Sequence, residues 1–99
     1  MRVLQETEGR KMTTFQLYIG ANNRTKRLEM SKIRRIVSAR HQGFTVHTAE
    51  GYWNGVKENT AIVTIAGNQT KIKNTIEILK QELEQDSIGY QIAPNMVFA

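Results

Sequence analysis

The sequence contains no cysteine, a single proline and no long hydrophobic run. Without cysteine the chain can form no disulfide, no thiolate metal site and no cysteine nucleophile, and this composition is typical of a cytoplasmic protein. No apolar stretch approaches the roughly 18 residues of a membrane-spanning helix. The first residues, MRVLQETEGRKM, also lack the apolar segment of a secretory signal. We therefore expect a protein of the cytoplasm with no membrane partner.

Several motifs of catalysis and ligand binding are also absent. Neither G-x-G-x-x-G nor G-x-x-x-x-G-K occurs, and there is no H-E-x-x-H or G-x-S-x-G. The two histidines, His41 and His47, are six residues apart on a predicted helix end and a predicted strand, which is not a metal-ligand spacing. The sequence therefore predicts neither a metal nor another cofactor.

The positive charge is concentrated in one part of the chain. The net charge is +5, and the first 40 residues hold ten lysines and arginines against three acidic residues. A basic segment of this kind can attract nucleic acid or another polyanion. A solvated basic surface is the more common explanation, and it is the one that we prefer at this point.

Hydrophobic periodicity predicts six secondary-structure elements. Strict alternation and β-branched residues predict strands, and apolar residues at spacings of three and four predict helices. The strands are expected over Thr13–Ile19, 44–48, Thr60–Ala66 and Ser87–Ile92, and the helices over Glu29–His41 and Gln69–Gln85. Residues 1–12 have no such pattern and are interpreted as a flexible tail, with Met12 as a candidate internal start. Residues 13–99 then form one domain, in which Asn95–Ala99 is a further short strand or a docked tail.

The order β-α-β-β-α-β predicts an α+β, ferredoxin-like fold, an antiparallel sheet with two helices on one face. The other face of the sheet would be open, with Tyr18, Thr45, His47 and Thr64 on it. An open face suggests pairing with other subunits or with a ligand. A sheet that binds RNA in this topology carries aromatic residues on its third strand. Thr60–Ala66 has none, which argues against nucleic acid as a partner.

Residues 49–59, AEGYWNGVKEN, are interpreted as a loop between the second and third strands. Tyr52 and Trp53 offer π faces that can stack on a base or lie against a cation, and Glu50 and Glu58 offer negative charge. Two alternatives remain open: the aromatic side chains could fold back onto the core, and the glutamates could be merely solvated. Glu58 lies at the base of the loop, where a strand holds a side chain firmly, so it is the strongest candidate.

Four segments resemble the phage enzymes that degrade S-adenosylmethionine (SAM), formerly called SAM hydrolases and better described as SAM lyases. They are EMSKIRRIVSAR in the first helix, GYWNGVKEN with the strand after it, EQDSIGYQ and the closing VFA. The segment between Tyr52 and Glu58 is shorter than in those enzymes, and this chain ends where they continue. The topology is also similar to that of trimeric PII-like nucleotide-binding proteins, and the pattern resembles small bacterial ferredoxin-like domains of unassigned function.

The resemblance implies a homotrimer with sites between neighbouring subunits, and a phage protein that disarms restriction in the cytoplasm of its host. It implies cleavage of SAM to methylthioadenosine and homoserine lactone by attack of the substrate's own carboxylate. Glu58 and Tyr52 would be the catalytic residues, Glu58 by binding the substrate's positive charge. Trp53, Glu50 and Tyr18 would help to bind the substrate. The alternatives are a non-catalytic trimer that binds a nucleotide or another small ligand, and a nucleic-acid or protein-binding module.

Overall fold

Four strands and two helices follow one another in the order β-α-β-β-α-β across residues 13–93, the part of the chain that the computed structural model describes. The elements are β1 (Thr13–Ile19), α1 (Met30–Ser38), β2 (Phe44–Trp53), β3 (Val56–Gly67), α2 (Gln69–Glu82) and β4 (Gly89–Ala93). The tail predicted over residues 1–12 and the strand or docked tail predicted over Asn95–Ala99 lie outside the described residues.

The strands form one antiparallel sheet in the order β2-β3-β1-β4. Helix α1 connects β1 to β2, and β3 lies between these two strands in the sheet. Helix α2 connects β3 to β4, and β1 lies between those two. This arrangement confirms the ferredoxin-like α+β fold that the element order predicted.

The core lies between the two helices and one face of the sheet. On β1 the alternate residues Phe15, Leu17 and Ile19 are fully buried, as the period of a strand requires. The helices cover them with the predicted apolar stripes, and the buried members are Ile33 and Val37 of α1 and Ile72, Ile76, Leu79 and Leu83 from α2 and its end. Burying each such side chain contributes roughly 1.5–3 kcal/mol, so this layer holds the fold together.

Both helices end earlier than their predicted ranges. In α1 the periodicity ran on to His41, but the helix ends at Ser38, and the backbone N–H groups of Arg40 and His41 both donate to the carbonyl of Val37. In α2 the helix begins as predicted, because the Asn68 side chain accepts a hydrogen bond from the N–H of Lys71 at 3.0 Å. It ends at Glu82, and Glu84 has a φ of 54°, a left-handed conformation typical of a helix C-terminus.

The prediction of a loop over residues 49–59 is wrong. Strand β2 continues to Trp53 and β3 begins at Val56, so that only Asn54 and Gly55 form the turn. Their φ angles are 51° and 79°, and a two-residue hairpin turn of type I′ requires positive φ at both positions. The dipeptide Asn-Gly is the strongest short-range signal for such a turn, and the glycines and polar residues around it obscured that signal. We call residues 49–60 the outer hairpin.

The sheet face opposite the helices carries the residues that the sequence placed there. Tyr18 pairs with Ile62, which pairs in turn with His47, and Thr64 pairs with Thr45 on the other side of β3. Residues that pair across antiparallel strands point to the same face. The prediction for Tyr18, Thr45, His47 and Thr64 is therefore confirmed, and this face has no helix over it within residues 13–93.

Candidate functional site

A cleft of about 710 Å³ lies at one end of the sheet, where β1 ends and the outer hairpin begins. The segment that follows α2 borders it from the other side with Gln85, Asp86 and Ser87. All five residues that the sequence singled out line this cleft: Tyr18, Glu50, Tyr52, Trp53 and Glu58. The fold thus brings together residues that are up to 40 positions apart in the chain.

Glu58 is half-buried, and the end of β1 holds its carboxylate in place. The backbone N–H of Ala21 donates a hydrogen bond to Oε2 of Glu58 at 3.0 Å. The preceding residue is Gly20, and a Cβ added there would lie only 2.8 Å from the same oxygen. The glycine is therefore what allows the carboxylate to approach the backbone so closely.

The loop that follows β1 is tied to the end of α2, which fixes the N–H that holds Glu58. Asn22 is buried; its Oδ1 accepts from the N–H groups of Arg24 and Thr25, and its Nδ2 donates to the carbonyl of Leu83 at 3.1 Å. The Gln85 side chain donates to the carbonyl of Ala21 at 2.8 Å. Glu58 is thus held by a loop that is hydrogen-bonded to the end of α2.

An exposed ion pair joins the same two segments. The Arg24 guanidinium bonds to both carboxylate oxygens of Glu84, at 3.1 and 2.8 Å. This hydrogen-bonded cation lowers the pKa of the Glu84 carboxyl, and the same contact raises the pKa of Arg24. The geometry is bidentate, which adds directional specificity to a contact that solvent screens.

Glu50 and Tyr52 belong to the opposite face of the outer hairpin from Glu58. Tyr52 pairs across the strands with Lys57, whereas Glu58 pairs with Gly51. The Tyr52 hydroxyl donates to Oε1 of Glu50 at 3.2 Å, and Nζ of Lys57 lies 3.3 Å from Oε2 of the same glutamate. Tyr52 and Glu58 therefore border one cleft from two sides, and the tyrosine is oriented by Glu50.

Trp53 and Tyr18 supply aromatic surface to the cleft. Trp53 is 67% exposed, so the alternative in which it folds back onto the core is wrong. The Tyr18 hydroxyl donates towards Oε1 of Gln91 at 2.9 Å and Oε1 of Gln16 at 3.1 Å, two acceptors on the open face. These two contacts orient the Tyr18 side chain towards Gln16 and Gln91 on the open face.

Sequence reasoning did not single out the small residues that shape the cleft. A Cβ added at Gly51 would lie 2.5 Å from Oγ1 of Thr60, so a larger residue would displace the floor of the cleft. Tyr90 and the segment Gln85–Ser87 were also not identified as site residues, although they form one wall. Their approach to the outer hairpin depends on strand order, which no local pattern of the sequence reports.

No group of three or more His, Asp or Glu side chains within residues 13–93 is arranged to hold a metal ion. His41 is buried instead, and its Nε2 lies 2.8 Å from Oγ1 of Thr75 on α2. Burial lowers the pKa of His41, and the nearby charges of Lys71 and Arg40 lower it further. His41 thus links the end of α1 to α2. None of the helices in residues 13–93 is long and apolar enough to cross a membrane.

Comparison with known proteins shows the fold and nothing more specific. No protein-family model matches the chain, and no curated protein is similar to it in sequence. The chain is similar to the crystal structure of a DUF3240 family protein from Shewanella baltica OS155, with a TM-score of 0.63 and 13% sequence identity over 88% of this chain and 97% of that one. A de novo designed protein, Foldit4, reaches a TM-score of 0.49 at 17% identity over 86% of this chain and 97% of that one.

Proposed function

We propose that the cleft binds SAM and that the protein is a SAM lyase. The observation that carries the proposal is the Glu58 carboxylate, which is held by the Ala21 N–H at the edge of an open cleft. The ion pairs within residues 13–93 are Arg24–Glu84, Lys57–Glu50 and Lys80–Glu77, and none of them involves Glu58. A fixed carboxylate that has no cationic partner in this part of the chain is suited to a cationic ligand.

The dimensions and the lining of the cleft also suit this ligand. Its volume of about 710 Å³ lies within the range of roughly 300–1,000 Å³ that is usual for small-molecule sites. Trp53 and Tyr18 offer aromatic surface for an adenine ring or for a sulfonium group. SAM presents an aromatic base at one end and two positive charges at the other, and the cleft offers a partner for each kind of group.

The reaction needs orientation more than it needs acid or base catalysis. One carboxylate oxygen of SAM attacks the γ-carbon of the methionyl group, the bond from that carbon to sulfur breaks, and the electron pair stays on sulfur. The products are methylthioadenosine and homoserine lactone, and no water or proton is consumed. Holding the oxygen in line with the departing sulfur can be equivalent to an effective molarity of roughly 10⁵ M or more.

Of the two positive charges in SAM, the ammonium is the better partner for Glu58. The sulfonium loses its charge as the carbon–sulfur bond breaks, so a carboxylate against sulfur would stabilise the substrate more than the transition state. The ammonium keeps its charge throughout. A contact from Glu58 to the ammonium therefore orients the methionyl chain without opposing the reaction.

Tyr52 and Trp53 have secondary roles in this proposal. The Tyr52 hydroxyl already donates to Glu50, so the face of its ring is the part available to the methionyl chain. Trp53 is the candidate for stacking on adenine, because it is the most exposed aromatic residue of the cleft. We expect replacement of either residue to weaken substrate binding more than it slows the chemical step.

We propose further that the functional form is a homotrimer in which a neighbouring subunit closes the cleft. The support is the open face of the sheet, which leaves Ile62 half-exposed beside Tyr18. A second subunit over this face would exclude water from the bound substrate, and that would favour lactone formation over hydrolysis. In a phage, consumption of SAM would disarm the host's restriction and methylation enzymes.

The direct experiment is incubation of the purified protein with SAM, with methylthioadenosine and homoserine lactone followed by chromatography and mass spectrometry. We expect both products, with the lactone preceding homoserine. Glu58→Gln should lose at least about 100-fold in kcat/KM, because it removes the charge that orients the substrate. The control is Glu77→Gln, an exposed glutamate on α2 whose partner is Lys80. Full turnover by Glu58→Gln would refute the assignment.

A non-catalytic small-ligand or nucleotide-binding protein is the second candidate. It is supported by the aromatic and acidic lining of the cleft, which suits the binding of an aromatic or cationic ligand whether or not a reaction follows. This protein would bind SAM or a nucleotide and leave it intact. Recovery of unchanged SAM from a protein that binds it in calorimetry would select this function over the lyase.

A further inference from the structure

A second cleft of about 530 Å³ adjoins the first, between the loop that follows β1 and the outer hairpin. The two clefts share Asn23, Trp53 and Glu58. The half-buried carboxylate of Glu58 thus stands at the junction of two concave surfaces. A ligand bound to Glu58 can extend into either cleft or into both.

The two clefts carry opposite charge. Within residues 13–93 the larger cleft is lined by the acidic residues Glu50, Glu58 and Asp86 and by no basic residue. The second cleft is lined by Lys26 and Lys57, with Glu58 as its acidic residue. A ligand that spans the junction therefore meets both a negative group and positive groups along one continuous surface, which suits a zwitterion.

Of these two lysines, Lys26 is the one available to a ligand. Lys57 has its ammonium 3.3 Å from Glu50, whereas none of the ion pairs formed within residues 13–93 includes Lys26. The position of Lys26 is also well defined. Its backbone N–H donates to the carbonyl of Asn22 at 2.7 Å, and the buried Asn22 makes three further hydrogen bonds through its side chain.

The backbone of Lys26 is in the left-handed region, with a φ of 63°. Glycine and asparagine adopt this conformation readily, and a lysine does so at a cost in free energy. Two asparagines, Asn22 and Asn23, occur a few positions earlier in the same loop. A long cationic side chain at the strained position, next to a cleft, is consistent with a requirement for its charge there.

We propose that Lys26 binds the carboxylate of a zwitterionic ligand whose ammonium contacts Glu58. This inference rests on the proposed function and deepens it, because it assigns the two ends of the methionyl group of SAM to the two clefts. The ligand class is an α-amino acid that carries a larger substituent, and the second cleft is the part of the site that selects for its carboxylate.

Lys26 acts on substrate binding rather than on the chemical step. The carboxylate loses its negative charge as the lactone closes, so an ion pair with Lys26 stabilises the bound substrate more than the transition state. Replacement of Lys26 by methionine should therefore raise KM about tenfold without lowering kcat. The same replacement should remove the discrimination between SAM and its decarboxylated form.

The test uses calorimetry with two unreactive probes, S-adenosylhomocysteine and its decarboxylated analogue. We expect the wild-type protein to prefer the first probe by about tenfold or more, Lys26→Met to bind both probes alike, and Lys26→Arg to restore part of the preference. Lys73→Met is the matched control, since Lys73 is an exposed lysine on α2 that lines neither cleft. An undiminished preference in Lys26→Met would overturn the inference.

A second measurement separates this inference from the proposed function. Nuclear magnetic resonance titration with L-methionine and with 3-(methylthio)propylamine, which lacks the carboxylate, measures whether the zwitterionic group binds in the absence of the adenosyl group. If SAM is neither bound nor cleaved but L-methionine alone shifts the Lys26 and Glu58 signals, the lyase proposal fails and the zwitterion site stands. If neither the adenosyl probes nor L-methionine bind, the zwitterion site is refuted as well.

Discussion

Strands β2 and β3 run from beneath the helices into the outer hairpin, and the two halves of this one ladder differ in what surrounds them. In the covered half, Ala61, Val63 and Ile65 are fully buried against α1 and α2. In the outer hairpin, Tyr52, Trp53 and Val56 are 61%, 67% and 67% exposed. The hydrogen-bonded pairing is the same in both halves. What differs is the burial of apolar surface, which is the larger stabilising contribution.

This difference decides where chemistry can take place. On the side of the helices, the side chains of the covered half pack against one another in the core. The outer hairpin contributes little to the core and is free to present aromatic and charged side chains to a cleft. Glu58 and Thr60 stand at the boundary between the halves, where the rigid part of the ladder can still hold a side chain in place.

The largest expected effect is a difference in the free energy of unfolding between two valine-to-alanine substitutions on β3. Val63→Ala removes two buried methyl groups and should lower the free energy of unfolding by about 2 kcal/mol. Val56→Ala removes the same groups from an exposed position and should change it by less than about 0.5 kcal/mol. Urea denaturation of both variants measures the contrast. Equal losses would mean that the outer hairpin is as much a part of the core as β3 beneath the helices.

A second variant should disable the site and leave the fold in place. In Gly20→Ala the new Cβ would meet Oε2 of Glu58 at 2.8 Å, and the flexible carboxylate would move out of its bond with the Ala21 N–H. We expect about tenfold weaker binding of S-adenosylhomocysteine, which is about 1.4 kcal/mol. Gly43→Ala is the control, since a Cβ there meets no described atom within 4 Å. Unchanged affinity in Gly20→Ala would show that the position of Glu58 is unimportant.

A third variant should loosen the outer hairpin alone. Gly55 has a φ of 79°, and an alanine in that left-handed conformation costs about 1–2 kcal/mol. Hydrogen exchange of Gly55→Ala should therefore become faster for amides of residues 50–59, while the amide of Val63 keeps its rate. Uniformly faster exchange in both halves would contradict the independence of the outer hairpin.

The smallest expected effect is a pH dependence of stability that arises from His41. Burial lowers the pKa of His41 in the folded protein, so the unfolded chain takes up a proton first as the pH falls below about 6.5. Stability should be highest above that pH and should decrease from there until the pH passes the pKa of the folded state. His41→Gln should flatten this dependence below about pH 6.5. A slope that persists in His41→Gln would assign it to another group.

The covered half was predictable from the sequence to within a few residues. Periods of two and of three to four residues come directly from strand and helix geometry, so that Phe15, Leu17 and Ile19 and the stripe of α2 were placed correctly. The outer hairpin was not, because its composition is that of a loop and its exposed residues are not sorted into a buried and a polar face. Asn54 and Gly55 indicated the turn, but the glycines and polar residues around them made the whole segment resemble a loop.

The sequence by itself determined the order of the elements, the core-facing residues and five of the residues that line the cleft. Only the tertiary structure decided that Gly20 and the Ala21 N–H hold Glu58, that Tyr52 lies on the other face, and that Lys26 and Glu58 line the same second cleft. The physical reason is the distance along the chain between the residues that form each contact. Local periodicity reports which face of an element is buried, whereas a contact between the end of β1 and the base of β3 depends on strand order and register.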